Sequence, residues 1–324
     1  MLKEVVTTLC MVETPHAAIT VSPSTSEPGD KDEKEGLLET GPTITLVHQK
    51  PITSSIRATV KHVVANAGTF ARFRGFRVHA IYSLAFLLAA EFFDAALPGV
   101  PGQAILVSAL SGAVLANLHA VWTHRIVSMP TTKSFWQRLP SKSNWTTLAL
   151  PAAISASMPY LSVYLTIGVG ALLGLHREDP EQFVRYSAGQ LACLAMRVVG
   201  VAIFAIFCSL FLCLPAIVTL VRIEASILPE DEDTIVPFDR TFDGKAVSQM
   251  HGGSGKVGFL DAWRSFNWEA RRRLIKLFVK VSLIMVGAFF FVAHILAFEV
   301  FAVFGPQLGQ LLSQLDREGI PEIN

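Results

Sequence analysis

The chain has 324 residues, 51% of them hydrophobic and 16% charged, with a formal net charge of +1. A soluble domain carries about 25% charged residues, so the deficit excludes an ordinary water-soluble globule, and the near-neutral balance gives no case for a nucleic-acid partner. The four cysteines, Cys10, Cys193, Cys208 and Cys213, form neither a C-x-x-C pair nor a zinc spacing, and no cofactor or metal is expected.

Residues 1–50 read as a disordered polar tail. The run from Ser22 to Asp30 is rich in turn formers, and Lys31 to Glu35 extends it, leaving too little apolar surface to offset the entropy of ordering. No apolar stretch of signal-peptide length occurs, and no arginine precedes Arg57, so neither a secretory signal nor an ordinary mitochondrial presequence is expected. From Ile52 the pattern changes. Ile52, Ile56, Val60, Val63, Val64 and Ala67 recur at helical spacing, with Arg57, Lys61 and His62 among them. This predicts an amphipathic helix over 52–67, suited to a membrane interface. Gly68 ends it, and Arg72, Arg74 and Arg77 stand at the edge of the first apolar run.

Five such runs follow, at about 78–97, 103–124, 148–175, 188–223 and 274–305. Each reaches the ~20 apolar residues that cross a ~30 Å hydrocarbon layer. The predicted fold is all-α, a multi-pass transmembrane helical bundle of about five tilted spans occupying 51–305. Pro215 predicts a kink or break in the fourth run, which is too long for a straight crossing. The loop after the second run carries Arg125, Lys133, Arg138 and Lys142 without an acid. The polar loop 224–258 contains Glu230, Asp231, Glu232 and Asp233. A second amphipathic helix over 259–270 presents Phe259, Trp263, Phe266 and Ala270, and Arg271 to Arg273 close it. A C-terminal tail covers 306–324. Lysine and arginine bias sets orientation, so the N-terminal tail and the second and fourth loops are expected on one positive side, with the C-terminus opposite.

Ionisable groups at lipid depth are functional candidates because burying a charge there costs several kcal/mol. Glu91 and Asp94 lie late in the first run, Asn117 and His119 in the second, Arg197 in the fourth, and His294 and Glu299 in the fifth. His119 and His124 are five apart, so they share no helical face and do not point to a metal. The string from Gly252 to Lys256 resembles a phosphate loop, but Met250 and Val257 occupy positions that need glycine and a hydroxyl. The sequon at Asn144 falls on the basic, non-translocated side. No nucleophile–base pattern is present, so no enzymatic activity is expected.

Phe93–Asp94 and Phe298–Glu299 close the first and fifth runs. The ends of the second and fourth, at Arg125 and Arg222, align at a shift just under one hundred residues. With Gly68, Phe73, Arg74 and Gly75 in register, the chain resembles the mitochondrial carrier family, whose three repeats each pair two tilted helices with a short surface helix. The chain is also similar to uncharacterised fungal multi-pass membrane proteins, which adds no mechanism. The carrier resemblance implies a mitochondrial membrane, gate positions at Arg125 and Arg222, and a substrate-contact position at Tyr82. Ile217 and Leu220 stand where the family has its acid and base, Ala120 and Thr123 in the second run likewise, and the first odd-numbered helix has no apolar counterpart. Three functions follow: a carrier-derived, non-transporting membrane adaptor or organiser; an atypical transporter of a small anionic solute using Tyr82, Glu91, Asp94 and Arg197; and an unrelated five-span scaffold of another internal membrane. Partners are the lipid bilayer and either a second copy or another membrane protein.

Overall fold

The structure is a computed structural model that describes residues 2–14, 17–22, 43–48, 50–134, 136–179, 185–246 and 255–318. It is all-helical apart from one antiparallel pair, β1 (Ala17–Ser22) and β2 (Thr43–His48), in register from Ala17↔His48 to Ser22↔Thr43. Two compact units divide the chain, Met1–Leu274 and Ile275–Asn324. Among the described residues, four helices are long and apolar enough to cross a membrane, or five if one bent pair counts as a span.

The expectation of a disordered tail fails over its first residues. Leu2–Val12 forms helix α1, and Val5, Val6, Leu9, Cys10 and Val12 are buried. An isolated helix of this length is marginal in water. Here Val5 and Leu9 pack with Val63, Ala71, Ile126, Ile235 and Val236 in one hydrophobic cluster, and that burial stabilises it. Burial also pushes the Cys10 thiol up from its ordinary value. The turn-rich stretch 23–42, which prompted the expectation, lies outside the described residues.

Helix α2 (Ile56–Ala67) follows a short 3-10 turn at Ile52–Ser54 and turns Thr59 and Val63 inward. Another 3-10 turn, Thr69–Phe73, leads through Gly75 into α3 (Phe76–Ala96). Gly75 has φ of +75°, and a Cβ there would lie 2.9 Å from Cδ1 of Trp122, so both its backbone and its surroundings require glycine. No residue of α3 is buried. Leu84, Leu87, Leu88 and Phe92 are exposed, as on a face covered by hydrocarbon.

The second run is two helices rather than one. Helices α4 (Gln103–Val114) and α5 (Ala116–Val127) meet at Leu115 with a 65° bend. No proline accounts for it. Instead Trp145, on the next helix, donates its indole N–H to the carbonyl of Ala113 at 2.8 Å. A side chain intruding on the helical ladder is a recognised source of kinks. Helix α6 (Lys142–Leu172) starts six residues before the apolar run and tolerates Pro151 and Pro159 internally. It crosses α4 at Gly112, where a Cβ would sit 2.6 Å from Cβ of Ala156 and 2.7 Å from the carbonyl oxygen of Ala152. Gly112 thus faces Ala152 and Ala156, the small-residue contact that lets membrane helices approach closely. Gly112→Leu is expected to destabilise this crossing by about 1–3 kcal/mol, as for an overpacked core. Denaturation in mixed detergent micelles followed by circular dichroism measures it.

The fourth span opens with a capping box between Ser187 and Gln190 and runs as α7 (Ala188–Cys208), a π-helical turn (Ser209–Cys213) and α8 (Leu214–Ser226). Pro215 sits in the first turn of α8, so the break predicted from it is a widened turn just upstream. Widening relieves the clash of a proline ring with the carbonyl four residues back. The predicted amphipathic helix over 259–270 is also split. Helix α9 (Phe259–Arg264) stops at Ser265, and α10 (Trp268–Glu318) begins after Asn267, whose Oδ1 accepts the amide N–H of Ala270 at 2.9 Å. The second unit is the remainder of α10. Its Phe289, Phe290, Phe291, Phe298 and Phe301 are all exposed.

Candidate functional site

At one end of the first unit the loops close into a cap. The backbone N–H of Met129 donates to the carbonyl of Asp233 at 2.7 Å, and that of Ile235 to Val127 at 2.8 Å. The acidic run is turned inward: Glu232 is buried and lies 3.1 Å from Lys133 Nζ and 3.5 Å from Arg138 Nη1. Lys133 also reaches Asp231 at 2.6 Å and holds that carboxyl below the usual carboxylate range. Two loops that read separately as a basic surface and an acidic surface therefore neutralise each other.

Arg222, on α8, ties the cap to the spans. Its Nε donates to the carbonyl of Ala262 at 3.0 Å, Nη1 to that of Met11 at 3.2 Å, and Nη2 to Oγ of Ser265 at 3.1 Å. The guanidinium lies 5.0 Å from the Phe242 ring centroid and 5.4 Å from that of Phe266. Phe242 and its neighbour Asp243 adopt φ of 53° and 59°, a left-handed conformation uncommon for such side chains, and this turn delivers the ring. Nearby, Glu13 accepts from the backbone N–H of Thr53 at 3.0 Å and faces Arg273 Nη2 at 3.7 Å.

Beneath the cap lies a second polar centre. His119, Thr123 and His124 on α5 converge on Glu224 of α8, which is 0% exposed. Oε1 is 2.7 Å from His119 Nδ1, and Oε2 accepts from the Thr123 hydroxyl at 2.5 Å. Nε2 of His124 lies 2.7 Å from the Glu224 carbonyl oxygen. The two histidines share no helical face, yet both reach one residue, one through its side chain and the other through its backbone. The Tyr82 ring packs edge-on against His119, with centroids 5.1 Å apart, and stacks over Trp122 at 6.1 Å. Among the described residues no cluster of three or more His, Cys, Asp or Glu is arranged to hold a metal ion.

A third feature is an open recess of about 420 Å³ lined by Arg74, Arg77, Arg125, Phe70, Phe73 and Pro130, among others. None of its lining residues is acidic. Arg74 is fixed across its mouth, its Nε donating to the carbonyl of Arg125 at 3.2 Å and its Nη2 to that of Ser128. Guanidinium groups gathered without a carboxylate attract anions.

Within the first unit, the candidates Tyr82, Glu91, Asp94, Arg125, Arg197 and Arg222 fall into separate settings. Tyr82 joins the Glu224 centre, Arg125 the recess and Arg222 the seam. Arg197 reaches Glu178 at 2.7 Å, and Tyr186 donates to the same carboxylate at 2.7 Å, so it secures the loop before α7. Asp94, exposed near the end of α3, accepts from Gln103 Nε2 at 2.7 Å. Glu91 is exposed on the same helix, and Glu299 is exposed in the second unit. Glu224, Thr123 and Glu13 went unrecognised. The signal for the first two was an acid closing the fourth run opposite a His-x-x-x-Thr-His string in the second. No family model, curated protein or solved structure matches the chain.

Proposed function

We propose that this chain is an integral membrane protein that carries a folded cap at one bilayer face, a non-catalytic adaptor or organiser rather than a mover of solutes. The observation that supports this reading is Arg222. As a carrier gate it would need a carboxylate to bind and release. Its nearest partners are instead two backbone carbonyls and a hydroxyl drawn from two chain segments, α1 and the end of α9, and releasing them would dismantle the cap. The separate settings of Glu91, Asp94 and Arg197 within the first unit argue in the same direction. On this reading the cap faces the non-translocated side, where lysine and arginine remain. The carrier-like motifs make a mitochondrial membrane the first location to examine. Partners are the bilayer itself and a second copy or another membrane protein.

One observation favours anion transport as a second reading, namely the acid-free recess at Arg74, Arg77 and Arg125. Reconstitution into liposomes with a panel of radiolabelled small anions separates the two. The expected result is uptake no faster than in protein-free vesicles. Saturable uptake lost in Arg125→Ala or Arg197→Ala would replace the adaptor with a transporter.

A further inference from the structure

The Glu224 centre borders a cavity that the cap does not need. About 210 Å³ in volume, it is open and lined by Tyr82, Phe86, His119, Ala152, Ser155, Ala156 and Leu220. Tyr82 stands six residues into α3, or about 9 Å along the axis from its first residue at 1.5 Å per residue. The cavity therefore lies below the cap, at a depth reached from lipid. Its volume is under the ~300–1,000 Å³ of ordinary small-molecule pockets, so it suits a small ring rather than a drug-sized ligand. Its walls are largely aromatic or small and apolar. The polar groups on its lining are the imidazole of His119 and the hydroxyls of Tyr82 and Ser155.

Charge narrows the ligand further. His119 is backed by a fully buried carboxylate at 2.7 Å, so an anionic headgroup would meet Glu224 as well as the imidazole. A neutral ligand avoids that repulsion. Nδ1 of His119 is engaged with Glu224, which leaves Nε2 as the ring nitrogen that can pair with a ligand oxygen, as donor to a carbonyl or acceptor from a hydroxyl according to the tautomer.

We propose that this cavity binds the ring of a lipid-borne quinone or quinol, with its apolar tail left in the bilayer. The inference is independent of the adaptor reading and concerns binding alone. It is tested on the full chain in lipid nanodiscs, titrated with decylubiquinone while tryptophan fluorescence is followed, since Trp122 is 6.1 Å from Tyr82. Saturable quenching is expected, and Trp122→Phe should remove most of it. Ser155→Leu, which fills the cavity, should weaken binding about tenfold or more, a loss of the size a filled or emptied apolar pocket produces. Tyr82→Phe, which removes only a hydroxyl, should weaken it about threefold to tenfold, the range for one neutral hydrogen bond. If Ser155→Leu does not fold, as judged by circular dichroism and gel filtration, Tyr82→Phe carries the test. Quenching that rises linearly without saturation, or that both folded variants leave unchanged, overturns the proposal. Equal displacement by palmitate or cholesterol also overturns it, because neither presents such a ring.

Discussion

Arg222→Leu is expected to release the cap from the spans while leaving the spans themselves inserted. Leucine keeps an apolar side chain there but loses the guanidinium over the Phe242 and Phe266 rings and removes the donor that Arg222 gives the carbonyls of Met11 and Ala262. Leaving buried acceptors without their donor costs about 1–3 kcal/mol each. At about 2–4 °C per kcal/mol for a domain of this size, melting of the cap should fall by roughly 10 °C. Limited proteolysis gives the spatial readout: cleavage within 2–14 and 255–267 should accelerate, while the apolar spans stay protected. Arg222→Lys should rescue only part of the loss. An ammonium keeps the charge but cannot present the planar fork that meets three acceptors. Rescue as complete as in the unaltered chain would mean that charge alone, rather than the fork, secures the cap.

How much of this was legible in the sequence depends on the range of the signal. The spans were visible because apolar length is a local property: Phe76–Ala96 and Trp268–Gly305 fall within a few residues of the expected runs. The bend at Leu115 was not, because its cause is Trp145, thirty residues away on another helix. Helix α1 was hidden by averaging. Val5, Val6, Leu9, Cys10 and Val12 carry a helical pattern, but the polar stretch after Ser22 dominates a fifty-residue window. The acidic run at 230–233 shows no partner in the local sequence because its neutralising bases, Lys133 and Arg138, lie about a hundred residues earlier. Pro215 announced a disturbance correctly in place but not in kind, since proline specifies where a helix strains rather than how its neighbours absorb the strain.

The candidate site illustrates the same limit more sharply. Arg222 and Glu224 are two apart on α8 and face different surroundings: the first enters the seam with α1 and α9, the second the interface with α5. From sequence, Arg222 is a gate candidate by resemblance alone, and Glu224 carries no distinguishing signal of its own. What makes Glu224 distinctive is that His119, Thr123 and His124 all come from a helix whose direction is set by the Leu115 bend. A straight span over 103–124 would carry those side chains elsewhere, so the polar centre depends on a feature with no local signature.

The expected result for Glu224→Ala follows from that dependence. The substitution leaves His119 Nδ1 and the Thr123 hydroxyl without their shared acceptor inside the bundle, while the His124 contact survives because it uses the backbone carbonyl. Leaving two buried polar groups without their acceptor costs about 1–3 kcal/mol each, so most of the protein should be lost as aggregate on extraction from the membrane. Glu224→Gln keeps the shape and one carbonyl acceptor, and its loss should be about 1–3 kcal/mol, the penalty for one imperfectly satisfied buried group. A double-mutant cycle with His119→Gln isolates the pair. If the carboxylate and imidazole act together, the double variant should be less destabilised than the sum of the two single variants, with an interaction of at least about 1 kcal/mol between contacting residues. Strict additivity, measured by detergent-micelle denaturation of all four proteins, would mean that Glu224 is retained for Thr123 and packing alone, and that His119 reaches the cavity without its help.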